Sequence, residues 1–374
     1  MTRPTETTTR PGRPEVFDVD FNERPFTIAW EVTRACALAC VHCRAEAQPR
    51  RHPDELTTDE AFTVVDRIAE LKPPVLVLTG GDPLMRPDLF EIATRAIGRG
   101  LRVAVSPTTT ALADRTRLQR LRDIGVSMVH VSLDGGDAAT HDGFRGVPGT
   151  YDRAVQTLAH LRDLGMPTQV GTTIARHNLH QMEEIATLLA EYRVRVWSVF
   201  YLVPTGRARA DQMITAEEAE ASWEWLAAFS EHAPFAVRTT AAPQYRRTML
   251  RRVRERGTGS VRLTGAGYQI AQSSEGLRTQ GVNDGKGFMF IDHLGGICPS
   301  GFLQVPAGNV RTDDLAEVYR NSTLFRTLRD PGALTGRCGR CAYSELCGGS
   351  RARALAATGS VVGDDPLCTL HVPD

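Results

Sequence analysis

Two hydrophobic patterns alternate along the chain from Phe17 to about residue 232. Short runs rich in β-branched and apolar residues read as strands: FTIAWEV (26–32), VLVLTG (75–80), RVAVS (102–106), MVHVSLD (128–134), TQVGTTI (168–174) and RVWSVFYLV (195–203). Segments with helical apolar spacing follow at 57–71, 87–99, 112–124, 151–164, 178–192 and 215–232, the first opening on LTTDE with Thr58 or Asp59 as its expected N-cap. Repeated strand–helix units predict an α/β fold with a parallel sheet, doubly wound or curled into a barrel. Periodicity does not choose between the two. Either way, ligands gather at the C-terminal ends of the strands, where the stretches TGGDP and SLDGG fall. Residues 1–16, rich in Thr, Pro and Arg, predict a disordered tail ahead of a domain at 17–232. The alternation breaks over 233–282, a connecting or cap segment in which PQYRRTMLRRVRERG carries Arg246, Arg247, Arg251, Arg252, Arg254 and Arg256. That run suits a solvated helix face or an anion-binding cap over a barrel mouth. A cysteine-bearing module occupies 283–374.

Composition narrows the partners. The 374 residues suffice for two compact units, or for one barrel that absorbs most of the length. Lys plus Arg equals Asp plus Glu at 44 each, so no global charge draws the protein to nucleic acid or an anionic membrane. No apolar run approaches the roughly 20 residues of a membrane span, and MTRPTETTTRPGRPEVF lacks the apolar centre of a signal peptide, which predicts a cytoplasmic protein. In a reducing compartment, eight cysteines in two tight groups point to metal ligation or redox chemistry rather than disulfides.

The first group lies in EVTRACALACVHCRAEA, just after the first predicted strand, with Cys36, Cys40 and Cys43 at C-x3-C-x2-C spacing. Four ligands close a metal site, whereas three leave a coordination position open. Thiolate-rich ligation selects zinc, copper or iron–sulfur. In a [4Fe–4S] cluster held by three thiolates, the remaining iron is free to chelate a small ligand.

These residues, followed by GGDP and SLDG at later strand ends, resemble the radical S-adenosylmethionine (SAM) enzymes. The resemblance implies a partial (βα)6 barrel in which Cys36, Cys40 and Cys43 hold the catalytic [4Fe–4S] cluster. The open iron would bind SAM, and a low-potential electron would cleave it to a 5′-deoxyadenosyl radical that abstracts hydrogen. His42 takes the position near the adenine. Gly80, Gly81, Asp82 and Pro83 match the stretch that receives the methionyl amine, with Asp82 shorter by one methylene than the usual Glu. Ser132 and Asp134 resemble the segment that reaches the ribose, and Ser106 and Thr172, at other strand ends, are further candidates for polar contacts to SAM.

The tail resembles SPASM/twitch-type iron–sulfur domains. Those domains end in a C-x2-C-x5-C-x3-C run and a final cysteine. Here Cys338, Cys341, Cys347 and Cys368 match, but Arg351 stands where the x3 spacing should close, and no cysteine in VNDGKG precedes Cys298. The resemblance therefore implies one complete auxiliary set, giving a second, fully protein-ligated [4Fe–4S] cluster, with Cys298 left as a buried small thiol. Zinc in the same four cysteines is the alternative. DGKGFMFIDHLGGICPSGFL, GNVR, YRNSTLFRTLRDP and CGGSRARA look most like the branch of heme d1 and alternative heme biosynthesis enzymes, whose members remodel carboxylate side chains of iron tetrapyrroles. Arg207 and Arg209 in PTGRAR would suit such carboxylates. A maturase acting on a ribosomal peptide is the alternative, weakened because only about 25 residues, too few for a leader-binding domain, precede the first strand. A flavodoxin- or ferredoxin-type donor would supply electrons.

Overall fold

A computed structural model describes residues 18–255, 261–265, 267–273 and 276–372, so the predicted tail at 1–16 and Arg256 lie outside the described residues. Seven strands, β1 (Thr27–Glu31), β2 (Val75–Thr79), β3 (Val103–Val105), β4 (Met128–Ser132), β5 (Thr168–Ile174), β6 (Val196–Tyr201) and β7 (Ala236–Thr240), each pair parallel with the next. Spatial order follows chain order without the reversal of a doubly wound sheet. That is the winding of a barrel. Helices α1 (Thr58–Leu71), α2 (Leu89–Gly98), α3 (Arg115–Asp123), α4 (Ala138–Arg145), α5 (Thr150–Asp163), α6 (Met182–Glu191) and α7 (Ala216–Ser230) form the crossovers.

Strand alternation divides the two faces. Ile28, Trp30, Leu76, Leu78, Val103, Val105, Val129, Val131, Trp197 and Val199 join one core with Val65, Ile68, Ile92, Leu118, Leu161 and Ile185 of the helices. Glu31, Ser106, His130, Ser132 and Ser198 alternate with these residues and so face the concave side, leaving polar groups where a barrel has its interior.

Two local expectations are corrected. The N-cap of α1 is Thr57, not Thr58 or Asp59: its hydroxyl accepts the Glu60 N–H at 3.3 Å while Glu60 accepts the Thr57 N–H at 2.8 Å, a reciprocal pair that satisfies two helix-end donors. Three arginines of α8 (Gln244–Glu255) are drawn into carboxylate pairs rather than left as a wholly solvated face or an anion-binding cap. Arg247 pairs with Glu220 at 2.5 Å, Arg251 with Glu224, and Arg252 with Glu231 at 3.1 Å, so they fasten α8 to α7 and its end.

Strands β8 (Val261–Gly265), β9 (Tyr268–Ser273) and β10 (Gly276–Gly281) form an antiparallel sheet. Then β11 (Phe288–Ile291) pairs parallel with β1, and β12 (Gly296–Cys298) and β13 (Gly308–Asn309) extend it antiparallel. The cysteine-bearing module thus continues the barrel sheet past its first strand. Helices α9 (Leu315–Asn321), α10 (Thr323–Arg329), α11 (Gly336–Arg340) and α12 (Arg351–Thr358) complete it.

Candidate functional site

The loop leaving β1 is organised by its own backbone and by one buried carboxylate. Glu55 accepts the Thr33 hydroxyl at 2.8 Å, the Arg34 N–H at 2.9 Å and the Arg51 guanidinium at 2.7 Å. Burial alone would raise this carboxyl, but those donors hold it below the usual range. Cys36 N–H donates to the Gln48 carbonyl at 2.7 Å and closes the loop on itself. Within it Cys36 and Cys40 are buried and Cys43 half-buried. Each sulfur has a donor: Leu38 N–H at 3.3 Å from Cys36, Arg145 Nη1 at 3.8 Å from Cys40, and Ala47 N–H at 3.5 Å from Cys43. Burial pushes Cys36 up to about 11 and raises Cys40 against the pull of Arg145. Cys36 and Cys40 are thus thiols that a bound metal would turn into thiolates near neutral pH.

The GGDP stretch packs directly on this loop. Gly81 N–H donates to the Thr33 carbonyl at 2.8 Å and Asp82 N–H to the Ala35 carbonyl at 2.6 Å. A Cβ on Gly80 would lie 2.5 Å from the Thr33 oxygen, and one on Gly81 would lie 2.6 Å from the Arg34 oxygen. The two glycines thus let the second strand end press against the cysteine loop. Gly81→Ala is expected to displace that loop and lower the iron retained after reconstitution by about four atoms per chain, with the far-ultraviolet circular dichroism unchanged; full iron content would contradict it. Asp82 is wholly buried, its carboxylate accepting the Thr110 hydroxyl at 2.9 Å and the Leu84 N–H at 3.1 Å. Burial raises it despite these donors. Pro83 follows as the first residue of a short 3-10 turn capped by Asp82.

Across the mouth, Asp134 lies buried after β4, accepting the Thr173 N–H at 2.6 Å and pairing with Arg145. Burial works to raise it, and Arg145 overrides this and holds it below the usual carboxylate range. Arg145, at the end of α4, links Asp134 to the Cys40 sulfur. Periodicity did not single it out, because α4 is only 8 residues long and sits in what reads as a loop. Beside it His42 stacks on Phe144 at 3.7 Å, and Phe144 faces His177 at 4.0 Å. Burial drives His42 down to about 3, so it is a neutral flat ring. Ser106 hydrogen-bonds His130 Nδ1 at 3.1 Å on the concave face, and Ser132 ends β4 on that same face. Thr172 is not brought together with the others: its hydroxyl donates to the Leu133 carbonyl at 2.7 Å and accepts Trp197 Nε1–H at 2.9 Å, on the helix side of β5. Arg209 pairs with Asp211 at the surface, whereas Arg207, whose N–H donates to the Cys43 carbonyl, keeps Nε and Nη2 buried without a protein acceptor.

In the C-terminal module Cys338, Cys341, Cys347 and Cys368 line one cavity of about 450 Å³, counted out to the solvent at its mouth, together with Arg247, Arg337, Asp364 and Asp365. Tyr343 N–H donates to Cys341 Sγ and Gly349 N–H to Cys347 Sγ, each at 3.4 Å. Burial pushes Cys347 up to about 12. Cys298 is apart from them, packed with Ala29 and Phe290. Among the described residues no three His, Cys, Asp or Glu side chains converge on a single-ion site.

An open three-thiol loop at the mouth of a barrel, backed by a glycine strand end, defines a radical SAM fold, and the chain belongs to the radical SAM superfamily: its residues 30–189 match that superfamily's model. Among its relatives is the AdoMet-dependent heme synthase of Nitratidesulfovibrio vulgaris, 41% identical over 91% of each chain. Two others are 30% identical over 92% of this chain: the pre-heme d1 synthase of Dinoroseobacter shibae, covered over 86% of its length, and the mycofactocin maturase MftC of Mycobacterium tuberculosis, covered over 83%. In fold it is similar to Streptococcus suis SuiB bound to S-adenosylmethionine, with a TM-score of 0.72 at 14% identity, covering 93% of this chain and 78% of that one. The protein is accordingly a radical SAM enzyme that binds SAM and a [4Fe–4S] cluster. The residues fit those groups. The first three sulfurs are buried or half-buried with one N–H or guanidinium donor each, which is how anionic cluster sulfurs are satisfied, and the neutral His42 ring offers a stacking face. No helix among the described residues is long and apolar enough to cross a membrane.

Proposed function

We propose that this enzyme acts in the cytoplasm on carboxylate side chains of an iron tetrapyrrole, with Cys36, Cys40 and Cys43 holding the catalytic cluster and Cys338, Cys341, Cys347 and Cys368 holding a second, closed one. The observation that carries the reading is the 41% identity to a heme synthase over nine-tenths of both chains. The bound cluster, given an electron by a flavodoxin- or ferredoxin-type donor, supplies a 5′-deoxyadenosyl radical from SAM that takes a hydrogen atom from the substrate. The chain's own residues position the parts. Gly80 and Gly81 hold the cysteine loop against β2, and the buried Asp82 next to them offers an acceptor for the methionyl amine. Asp134 offers one for the ribose, with Ser132 and Ser106 beside it on the concave face; the hydroxyl of Thr172 is already spent on protein partners. The His42–Phe144–His177 stack offers a flat ring face for the adenine. The guanidinium of Arg207, a residue whose backbone N–H is tied to the Cys43 carbonyl and whose Nε and Nη2 have no protein acceptor, suits a substrate carboxylate. The barrel around them keeps water from a reactive radical.

Anaerobic purification should yield about eight irons per chain. About twelve would mean a third cluster, and stoichiometric zinc without visible absorption would end the radical reading. Reduced enzyme with SAM and a deuterated iron coproporphyrin is expected to carry deuterium into 5′-deoxyadenosine. A peptide substrate is the second reading, supported by the 30% identity to a mycofactocin maturase. Deuterium transfer from a peptide encoded by a neighbouring gene, with none from the porphyrin, would decide for it.

A further inference from the structure

We propose that Arg351 is a positioning cation that raises the midpoint potential of the closed cluster by stabilising its reduced state. The proposal rests on the reading that Cys338, Cys341, Cys347 and Cys368 hold a [4Fe–4S] cluster. Arg351 begins α12 and is 2% exposed. Its Nη1 donates to the Val361 carbonyl at 3.1 Å and the Gly363 carbonyl at 2.8 Å, its Nε to the Gly349 carbonyl at 3.4 Å, and its Nη2 to Cys338 Sγ at 3.6 Å. Every one of these partners is a neutral carbonyl or the sulfur. Three other arginines near the four cysteines have carboxylates: Arg247 has Glu220, Arg337 has Asp364 and Arg353 has Asp365. Asp365, which flanks Gly349 together with Arg351, is already committed to Arg353, Gln244 and Ser350.

A buried guanidinium without a counter-charge is costly. An iron–sulfur cluster held by four thiolates is an anion, and one-electron reduction makes it more negative; hydrogen bonds to its sulfurs and nearby charge set its potential. Placed against Cys338, Arg351 would lose its isolation when the cluster binds, and would favour the reduced form over the oxidised one. The contact is built into the backbone. Gly349 adopts φ +63°, and a Cβ there would stand 2.5 Å from Arg351 Nη2, so the residue without a side chain gives the guanidinium its path to the sulfur. Arg246 reinforces the same field: it is 9% exposed, among the described residues hydrogen-bonds the Leu346 and Val282 carbonyls and no carboxylate, and lines with Arg351 a hollow beside Cys347.

The test is a potentiometric titration of the anaerobically reconstituted full chain, followed by electron paramagnetic resonance. The closed cluster is assigned in the Cys36→Ala, Cys40→Ala, Cys43→Ala background, where it stands alone with about four irons. Arg351→Gln and Arg351→Met are each expected to move its midpoint to more negative potential by about 60 mV or more, a tenfold fall in the one-electron reduction constant. Arg351→Lys, which keeps the charge, should shift it by less than half as much, and the midpoint of the open cluster in the otherwise wild-type chain should not move. An unmoved midpoint in either neutral variant with its irons retained, or a Lys variant as low as the neutral ones, overturns the proposal. Absence of iron from the triple-alanine background removes the closed cluster itself, and the proposal falls with that reading.

Discussion

Replacing Cys36, Cys40 and Cys43 together with alanine is expected to abolish reductive cleavage of SAM, with 5′-deoxyadenosine falling to the level of an enzyme-free control. The three sulfurs sit within one loop whose course is set by backbone bonds, chiefly Cys36 N–H to the Gln48 carbonyl at 2.7 Å and Gln48 N–H to the Arg34 carbonyl at 3.0 Å. Removing the sulfurs leaves those bonds intact, so the loop and barrel should survive while every ligand to the cluster is lost. Iron should fall from about eight to about four per chain. Retained cleavage of SAM in the triple variant would refute the assignment of the open cluster to this loop.

Arg145→Ala should produce the largest stability loss of a single substitution at the site. The pair it forms with Asp134 is buried, with the carboxylate side chain 1% exposed. Breaking a buried pair by removing one partner leaves an uncompensated charge and costs about 3–5 kcal/mol. The pH dependence gives a sharper signature. In the native protein the carboxyl of Asp134 lies below the ordinary range. A carboxyl depressed in the folded state stabilises the fold above its unfolded value near 3.9 and loses that contribution as pH falls through the lower, folded value. Without Arg145 burial dominates and raises the folded value above the unfolded one. The sign then inverts: Asp134 becomes destabilising as pH rises from the carboxylate range toward neutral. Thermal melts of the reconstituted variant should show a Tm deficit against wild type that is larger at pH 7 than at pH 5. A deficit independent of pH would mean that lost packing, rather than the Asp134 charge, accounts for the loss. Because Arg145 also donates to Cys40, the variant should bind iron less completely than wild type.

Much of the barrel was legible because its information is local. TQVGTTI spans β5 residue for residue, and VLVLTG and RVAVS differ from β2 and β3 only at their ends, since a buried parallel strand announces itself as a compact apolar run. The strand β7 escaped notice because AVRTT carries little apolar signal. Helix α4 escaped because a helix of two turns has too few positions to show a period. Among the site residues, Cys36, Cys40 and Cys43 stood out by spacing alone, whereas the packing of Gly80 and Gly81 against the Thr33, Arg34 and Ala35 carbonyls depends on two strand ends brought side by side. The Arg-rich run misled for a related reason. Its charge was visible, but its carboxylate partners on α7 and at its end lie 21 to 27 residues upstream.

By itself, then, the sequence determined what contiguous residues can encode: the strand–helix alternation, the three-thiol loop open at one position, and a tail carrying Cys338, Cys341, Cys347 and Cys368 with Arg351 between the last two. Only the tertiary structure decided the order of the strands, the union of β11 with β1, the Arg145 link between Asp134 and Cys40, the outward turn of Thr172, and the reach of Arg351 to Cys338 past Gly349. Periodicity and spacing act over a few residues, whereas the partner of a buried charge or a close backbone is chosen by which distant segments the packed core brings within a few ångströms.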